Sequence, residues 1–340
     1  MNENGRGNRV FLIGGSSGAI EATRSLLGKL PRDFPCPILV VIHTGPESPG
    51  LLPKVLQRCT SLIVQTAENQ AKPLPGHVYV APPDLHLTVQ NRAMLLMPGP
   101  VENRHRPAID PLFRSAARYY GPRAVGIILS GYLDDGCAGL YRVKQSGGVT
   151  IVQDPEEAIA PDMPRNAIER VEPDYTLGLS DMAELLQKLA IEPVTTQNEV
   201  LAMDPNPENF PGKLAAFTCP ECHGNLWEVE EGPNLKFRCR VGHAFTADVM
   251  LADQGLDVER ALWAALRVLE EHGELSTRLA TRARQSGHQY AEKRYSERAA
   301  EATQNAAILR ELLVHGRQEP RPARPLDQAE REAAEGRESA

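Results

Sequence analysis

Val10-Phe11-Leu12-Ile13-Gly14-Gly15-Ser16-Ser17-Gly18, running on into residues 19–30, sets the fold. The four large apolar residues suit a strand buried on both faces. The glycines permit a sharp turn, and the next segment carries apolar residues at helical spacing. A buried strand turning tightly into a helix is the opening half of a parallel β–α–β unit. Similar apolar runs recur as ILVVI (38–42), SLIVQ (61–65), HVYVA (77–81), AVGIILS (124–130) and VTIVQ (149–153). Helical spacing fills residues 51–58, 111–120 and 137–146 between them. The expected fold is α/β, a mainly parallel, doubly wound sheet covered on both faces over residues 10–191. LHLTVQ (85–90) and RAMLLMPG (92–99), with Asn91 between, read as an antiparallel hairpin appended to that sheet.

Composition narrows the function classes. The chain has 340 residues, 41% hydrophobic and 24% charged, with a formal net charge of -7. No block of Lys or Arg offers a phosphate-binding patch, so nucleic acid is not an expected partner. No apolar run has the length of a membrane span or the form of a signal peptide, so a cytoplasmic protein without membrane insertion is expected. Cys36, Cys59 and Cys137 are scattered among apolar residues as buried thiols would be. Cys219, Cys222 and Cys239 stand close together.

Chemistry gathers at strand ends. Gly14–Gly18 has the G-x-S-x-G form, which exposes Ser16 at the carboxyl end of a strand beside a helix N-terminus. A phosphate-binding glycine turn fits this pattern equally, although no lysine follows it and no ribose-binding acid ends the second strand. His43 follows that second strand; such a histidine is more often a packing residue than a base. Gly131-Tyr132-Leu133-Asp134-Asp135-Gly136 ends another strand, where the bland reading is a helix cap. Together the three loops supply a nucleophile, a base and a group to orient that base. A histidine base predicts activity that falls below roughly pH 6–7.

With these segments in view, the sequence resembles the catalytic domain of the bacterial chemotaxis protein-glutamate methylesterase family. IGGSSG (13–18), VVIH (40–43), LPGHVYVAPPDLH (74–86), NRHRPAIDPLFRSAA (103–117), GIILSGYLDDGCAGL (126–140) and MPRNAI (163–168) carry the resemblance. It implies a triad of Ser16, His43 and Asp135, with Asp134 at a variable position, and backbone amides near Ser17, Tyr132 and Leu133 to hold the oxyanion. No cofactor is needed for the ester hydrolysis it implies. Its substrate would be a methylated chemoreceptor or related signalling protein, and its place the cytoplasm, at receptor clusters. Glutamine deamidation is a chemically close second activity. His105, Arg106 and Pro107, and a second loop at Met163, Pro164 and Arg165, are candidates for substrate contact or for plain loop packing. Asp84 and His86 follow a strand end but do not displace His43. Tyr132 and Leu133 stand where the family has Met and Gly. That departure leaves a second reading open, a catalytically weak adaptor that assembles protein partners. Family members commonly carry an N-terminal receiver domain. Only nine residues precede Val10, so control by a receiver is not expected within this chain.

Beyond residue 191 the composition changes. Residues 192–213, rich in Pro, Asn and acid, read as a linker. Cys219-x2-Cys222 and Cys239-x3-His243 form two knuckles suited to one structural Zn2+ over residues 214–246, with His223 a poorer ligand. This module resembles the zinc-ribbon extensions of some receiver-less relatives, and Trp227, Phe237 and Phe245 would pack it. Leu262, Leu266, Leu269, Leu275 and Leu279, then Ala291, Tyr295, Ala299, Ala302, Ala306 and Leu309, predict a helical hairpin over 247–315. Internal packing is its first expected role and a regulatory protein partner its second. Residues 316–340 have the composition of a disordered tail.

Overall fold

A computed structural model describes residues 9–194, 212–231 and 233–315. The expected linker and tail fall largely or wholly outside these. Seven strands form a parallel sheet: β1 (Val10–Gly15), β2 (Ile38–Ile42), β3 (Ile63–Thr66), β4 (His77–Val80), β7 (Ala124–Ile128), β8 (Val149–Gln153) and β9 (Tyr175–Leu177). Their order is β3-β4-β2-β1-β7-β8-β9. The central strands β1, β2 and β7 are buried at every position, which is why they read as continuous apolar runs.

Both faces are covered. Helices α1 (Ala19–Gly28), α2 (Leu52–Gln57) and α6 (Leu179–Ile191) bury Leu26, Leu27, Leu56 and Leu186 against one face. Helices α3 (Ile109–Tyr120), α4 (Cys137–Gln145) and α5 (Asp162–Val171) bury Leu112, Phe113, Leu140 and Ala167 against the other. The hairpin β5 (His86–Gln90) and β6 (Ala93–Met97) is a separate two-stranded sheet rather than an extension of the large one. Its Leu87, Val89 and Met94 join the core around α3, so burial of one apolar face replaces edge pairing. Asn91 and Arg92 both take positive φ at its tip, as a two-residue turn requires.

Met163, Pro164 and Arg165, expected in a loop, instead lie in the first turn of α5. Proline is tolerated in a first turn, where its missing N–H has no intrahelical partner to lose.

Further along, β10 (Leu214–Thr218), β11 (Asn225–Glu231), β12 (Asn234–Cys239) and β13 (Ala244–Thr246) form a four-stranded antiparallel sheet. Phe237 and Phe245 are buried in it, and Phe217 meets Phe237 edge-on at 5.4 Å between centroids.

The C-terminal unit, from Met250, comprises most of α7 (Ala247–Gln285) and α8 (Gln289–His315). Gly287, at φ +75, sits in the turn between the helices. Leu266, Ala306 and Leu313 form the hairpin's core. Leu275 and Leu279 do not join it: they are exposed, while Ser276, Ala280 and Ala283 are buried. Small side chains let the helices approach closely there, and the leucines point outward. Among the described residues no helix is long and apolar enough to cross a membrane.

Candidate active site

Register places the first two candidates side by side. Gly15 of β1 pairs with Ile42 of β2, and Ser16 and His43 are the next residue of each strand. The His43 amide donates to the Gly15 carbonyl at 3.1 Å. Parallel neighbours stand about 4.8 Å apart, so the two residues are adjacent at the carboxyl edge of the sheet. Gly18, at φ +77, caps α1. A Cβ there would come within 2.6 Å of Ile159 Cβ and Ser130 Oγ, so only glycine fits this turn. Ser16 also abuts the loop after β7, since a Cβ at Gly131 would lie 3.1 Å from Ser16 Cβ.

Asp135 comes from that loop. His43 Nε2 lies 2.7 Å from Asp135 Oδ2, and both side chains are almost fully buried. The same Oδ2 accepts the Ile109 amide at 2.7 Å, and Oδ1 accepts Asn103 Nδ2 at 2.8 Å. Burial alone would raise the Asp135 pKa. The hydrogen bond and charge of His43, the Ile109 amide and Asn103 outweigh burial and hold the carboxyl well below its ordinary range. It is therefore a carboxylate at neutral pH, and it favours a proton on Nε2. His43 Nδ1 is buried without a hydrogen-bond partner among the described residues. An imidazole protonated at Nε2 carries its lone pair on Nδ1, which can accept a proton.

The amides of Ser17, Tyr132 and Leu133 donate to no backbone carbonyl among the described residues. Leu133 takes φ 60, the conformation a glycine adopts freely, so the backbone keeps a glycine-like path despite the side chain. Its carbonyl accepts Asn166 Nδ2 at 2.9 Å, which helps hold that geometry.

The other candidates take different places. His105 stacks on His43, with centroids 3.6 Å apart and planes at 14°, so it fixes the ring plane of His43. Arg106 binds Asp84 at 2.6 Å and the Gly99 carbonyl at 2.7 Å, bracing its own loop. His86 bridges the Pro100 carbonyl and the Ala108 amide. Met163 is fully buried, its Cε and Sδ 2.7 and 2.8 Å from the position a Cβ would take at Gly131, a point that also lies 3.1 Å from Ser16 Cβ, so it packs beside the nucleophile candidate. Arg165 is exposed beside Glu156 at 3.5 Å. Asp134 is fully buried and holds Arg170 and Thr246.

Sequence reasoning missed Asn103, Asp110, Lys236 and Thr246, which brace the acid side of the site. Lys236 of β12 pairs with the buried Asp110 at the start of α3. Asp110 also accepts the Gly139 amide at 2.7 Å and lies 3.8 Å from Arg114. Lys236→Met should lower stability by about 3 kcal/mol, the lower end for breaking a buried pair, because those other partners remain. Urea unfolding measures this; a loss under about 1 kcal/mol would contradict it.

Burial, followed by the neighbouring His43, pushes the His105 pKa well below its usual value, although Asp135 opposes the shift. The unfolded chain takes up that proton below about pH 6.5, whereas the folded chain resists it. Stability is therefore present above that pH and falls as pH drops, by up to about 1.4 kcal/mol per pH unit. His105→Phe keeps a ring on His43 and should flatten the slope between pH 6.5 and 5. An unchanged slope would contradict this.

The Cys219 and Cys239 Sγ atoms lie 3.6 and 3.4 Å from His243 Nδ1, and Cys222 and Cys239 Sγ are 3.6 Å apart. All four donors lie within 4.8 Å of one another. Tetrahedral zinc with ordinary bond lengths separates its ligands by about 3.5–3.8 Å, so the donors fit Zn2+. The sulfurs are too far apart for a disulfide. His223 is not in the cluster.

A serine, a histidine and an aspartate gathered at the strand ends of a parallel sheet can support carboxylic ester hydrolysis. Residues 11–186 match the CheB methylesterase family, and the chain belongs to that family. A Leptospira interrogans relative, named for protein-glutamate methylesterase and protein-glutamine glutaminase activities, is 38% identical over 53% of this chain and 94% of its own length. A Photorhabdus laumondii protein-glutamate methylesterase/protein-glutamine glutaminase is 36% identical over 54% of this chain and 53% of its own. The crystal structure of the Thermotoga maritima CheB methylesterase catalytic domain superposes with a TM-score of 0.51 at 34% identity. It covers 53% of this chain and 98% of that one.

Proposed function

We propose that this chain demethylates glutamate γ-methyl esters on a chemoreceptor-like signalling protein, with Ser16 as nucleophile, His43 as base and Asp135 as its orienting acid. The observation that carries the proposal is the buried His43 ring, tied to Asp135 through Nε2 with Nδ1 left over, one strand from Ser16. The names of the relatives support the substrate class.

Ser16 Oγ attacks the γ-carbonyl carbon while His43 Nδ1 takes its proton. The oxyanion receives hydrogen bonds from amides among Ser17, Tyr132 and Leu133. The bond to the methoxy oxygen then breaks, and His43 returns its proton to form methanol. Water adds to the acyl-serine by the same route, leaving glutamate and a free Ser16. A glutamine side chain would lose ammonia in the same two halves. The chain would act from the cytoplasm at receptor clusters, with control through a protein bound at the C-terminal helices.

Full-length protein incubated with a methylated chemoreceptor fragment should release methanol, with an equal loss of methyl groups from glutamate by mass spectrometry. An unchanged mass with no methanol would overturn the proposal.

Zn2+ in the Cys3His cluster belongs to the same proposal. Four protein donors fill a tetrahedral shell, so the metal would supply structure rather than activate water. Metal analysis after reducing, chelator-free purification should find about one zinc per chain; none would count against the site.

A further inference from the structure

The metal cluster and the catalytic acid are joined by a short run of hydrogen bonds. His243 is followed directly by β13. Ala244 accepts the Asn103 amide at 2.8 Å and donates to the Val101 carbonyl at 3.3 Å. The Thr246 amide donates to Asn103 Oδ1 at 3.0 Å. Asn103 Nδ2 then donates to Asp135 Oδ1. The side-chain amide of one asparagine thus links a strand beginning one residue after a metal ligand to the carboxylate that holds His43. Two further ties run in parallel. Thr246 Oγ1 donates to Asp134 Oδ1 at 2.6 Å, and Lys236 reaches Asp110, whose amide lies 3.4 Å from Asp135 Oδ1.

The middle of this run is held in a conformation that it would not keep alone. Asn103 and Arg104 take φ values of 50 and 67, both in the left-handed region. Consecutive non-glycine residues persist there only when neighbours determine them. The neighbour is β13, which pairs with β12 and is joined to it by the turn from Cys239 to His243. That turn's own bonds are few: Cys239 N to His243 O at 2.9 Å and Gly242 N to Cys239 O at 3.0 Å. Bound Zn2+ would add four ligand bonds to that turn and its partner at Cys219 and Cys222.

We propose that Zn2+ at Cys219, Cys222, Cys239 and His243 sets esterase activity by positioning Asp135 through Thr246 and Asn103, without touching substrate. Asn103 and Thr246 are positioning residues, and the C-terminal module is part of the acid's support. The rate effect rests on the esterase reading above, while the structural coupling stands apart from it.

The test uses the full chain, stripped by chelator under reducing conditions and reloaded with Zn2+ alone. Hydrogen exchange and methanol release from a γ-methyl-glutamate peptide are read on both forms. Stripping should expose the Asn103 and Thr246 amides while β1 and β7 stay protected. It should lower kcat by roughly 10- to 100-fold with KM little changed, as a misplaced catalytic group does. Asn103→Ala should show the lower kcat even when loaded, and stripping should reduce it no further. Equal kcat and equal protection with and without Zn2+ would overturn the proposal. So would Asn103→Ala retaining the full zinc effect, or loss of protection throughout β1 and β7. Methanol from none of the forms would reject the esterase reading alone, and exchange at Asn103 would still decide the coupling.

Discussion

Ser16→Ala should reduce kcat for methanol release by roughly 10^6-fold, leaving only the acceleration that binding and oxyanion donors give without a nucleophile. Ser16 is buried at the end of β1, so removing one hydroxyl leaves the turn and its backbone bonds intact. The unfolding midpoint should stay within a degree or two of the parent, which separates lost chemistry from lost structure. Steady-state methanol assays, with mass analysis of the peptide, measure the loss. A variant retaining more than about one per cent of parent activity would show that another group attacks the ester.

The second large effect belongs to the acid. Asp135→Asn preserves shape but replaces an acceptor with a group that can donate to His43 Nε2. The imidazole would then carry its proton on Nδ1 and could not take one from Ser16. A loss of roughly 10^4-fold in kcat follows, with KM little altered. His43 Nε2, Ile109 N, Asn103 Nδ2 and Asp110 N all approach this carboxylate. The cost of misdirecting it is accordingly larger than that of an exposed acid. An NMR tautomer assignment on the variant, read beside its rate, would check the cause. A slow enzyme whose His43 still carries its proton on Nε2 would refute that explanation.

The parallel sheet was legible because its central strands are apolar on both faces, and the adjacency of Ser16 and His43 was legible because each directly follows such a strand. The acid was narrowed to two adjacent residues by position. Family resemblance favoured Asp135, and the geometry shows Asp134 turned toward Arg170 and Thr246 instead. What stayed hidden depends on distant segments meeting. Asn103 lies within NRHRP, yet nothing local to it announces that one face meets Asp135 and the other Thr246. Lys236 looks like any strand lysine until Asp110 is placed beneath it. The helical stripe misled for a related reason. Leucines drew attention at 275 and 279, whereas burial went to Ser276, Ala280 and Ala283, because close helix approach selects small side chains.

Labelling the intact chain with an alkyl fluorophosphonate and mapping the adduct by mass spectrometry tests the nucleophile most directly. One adduct on Ser16 Oγ, forming in step with the loss of methanol release and absent from His43→Ala, is the expected result. Full methanol release from a chain whose Ser16 is completely modified would contradict it.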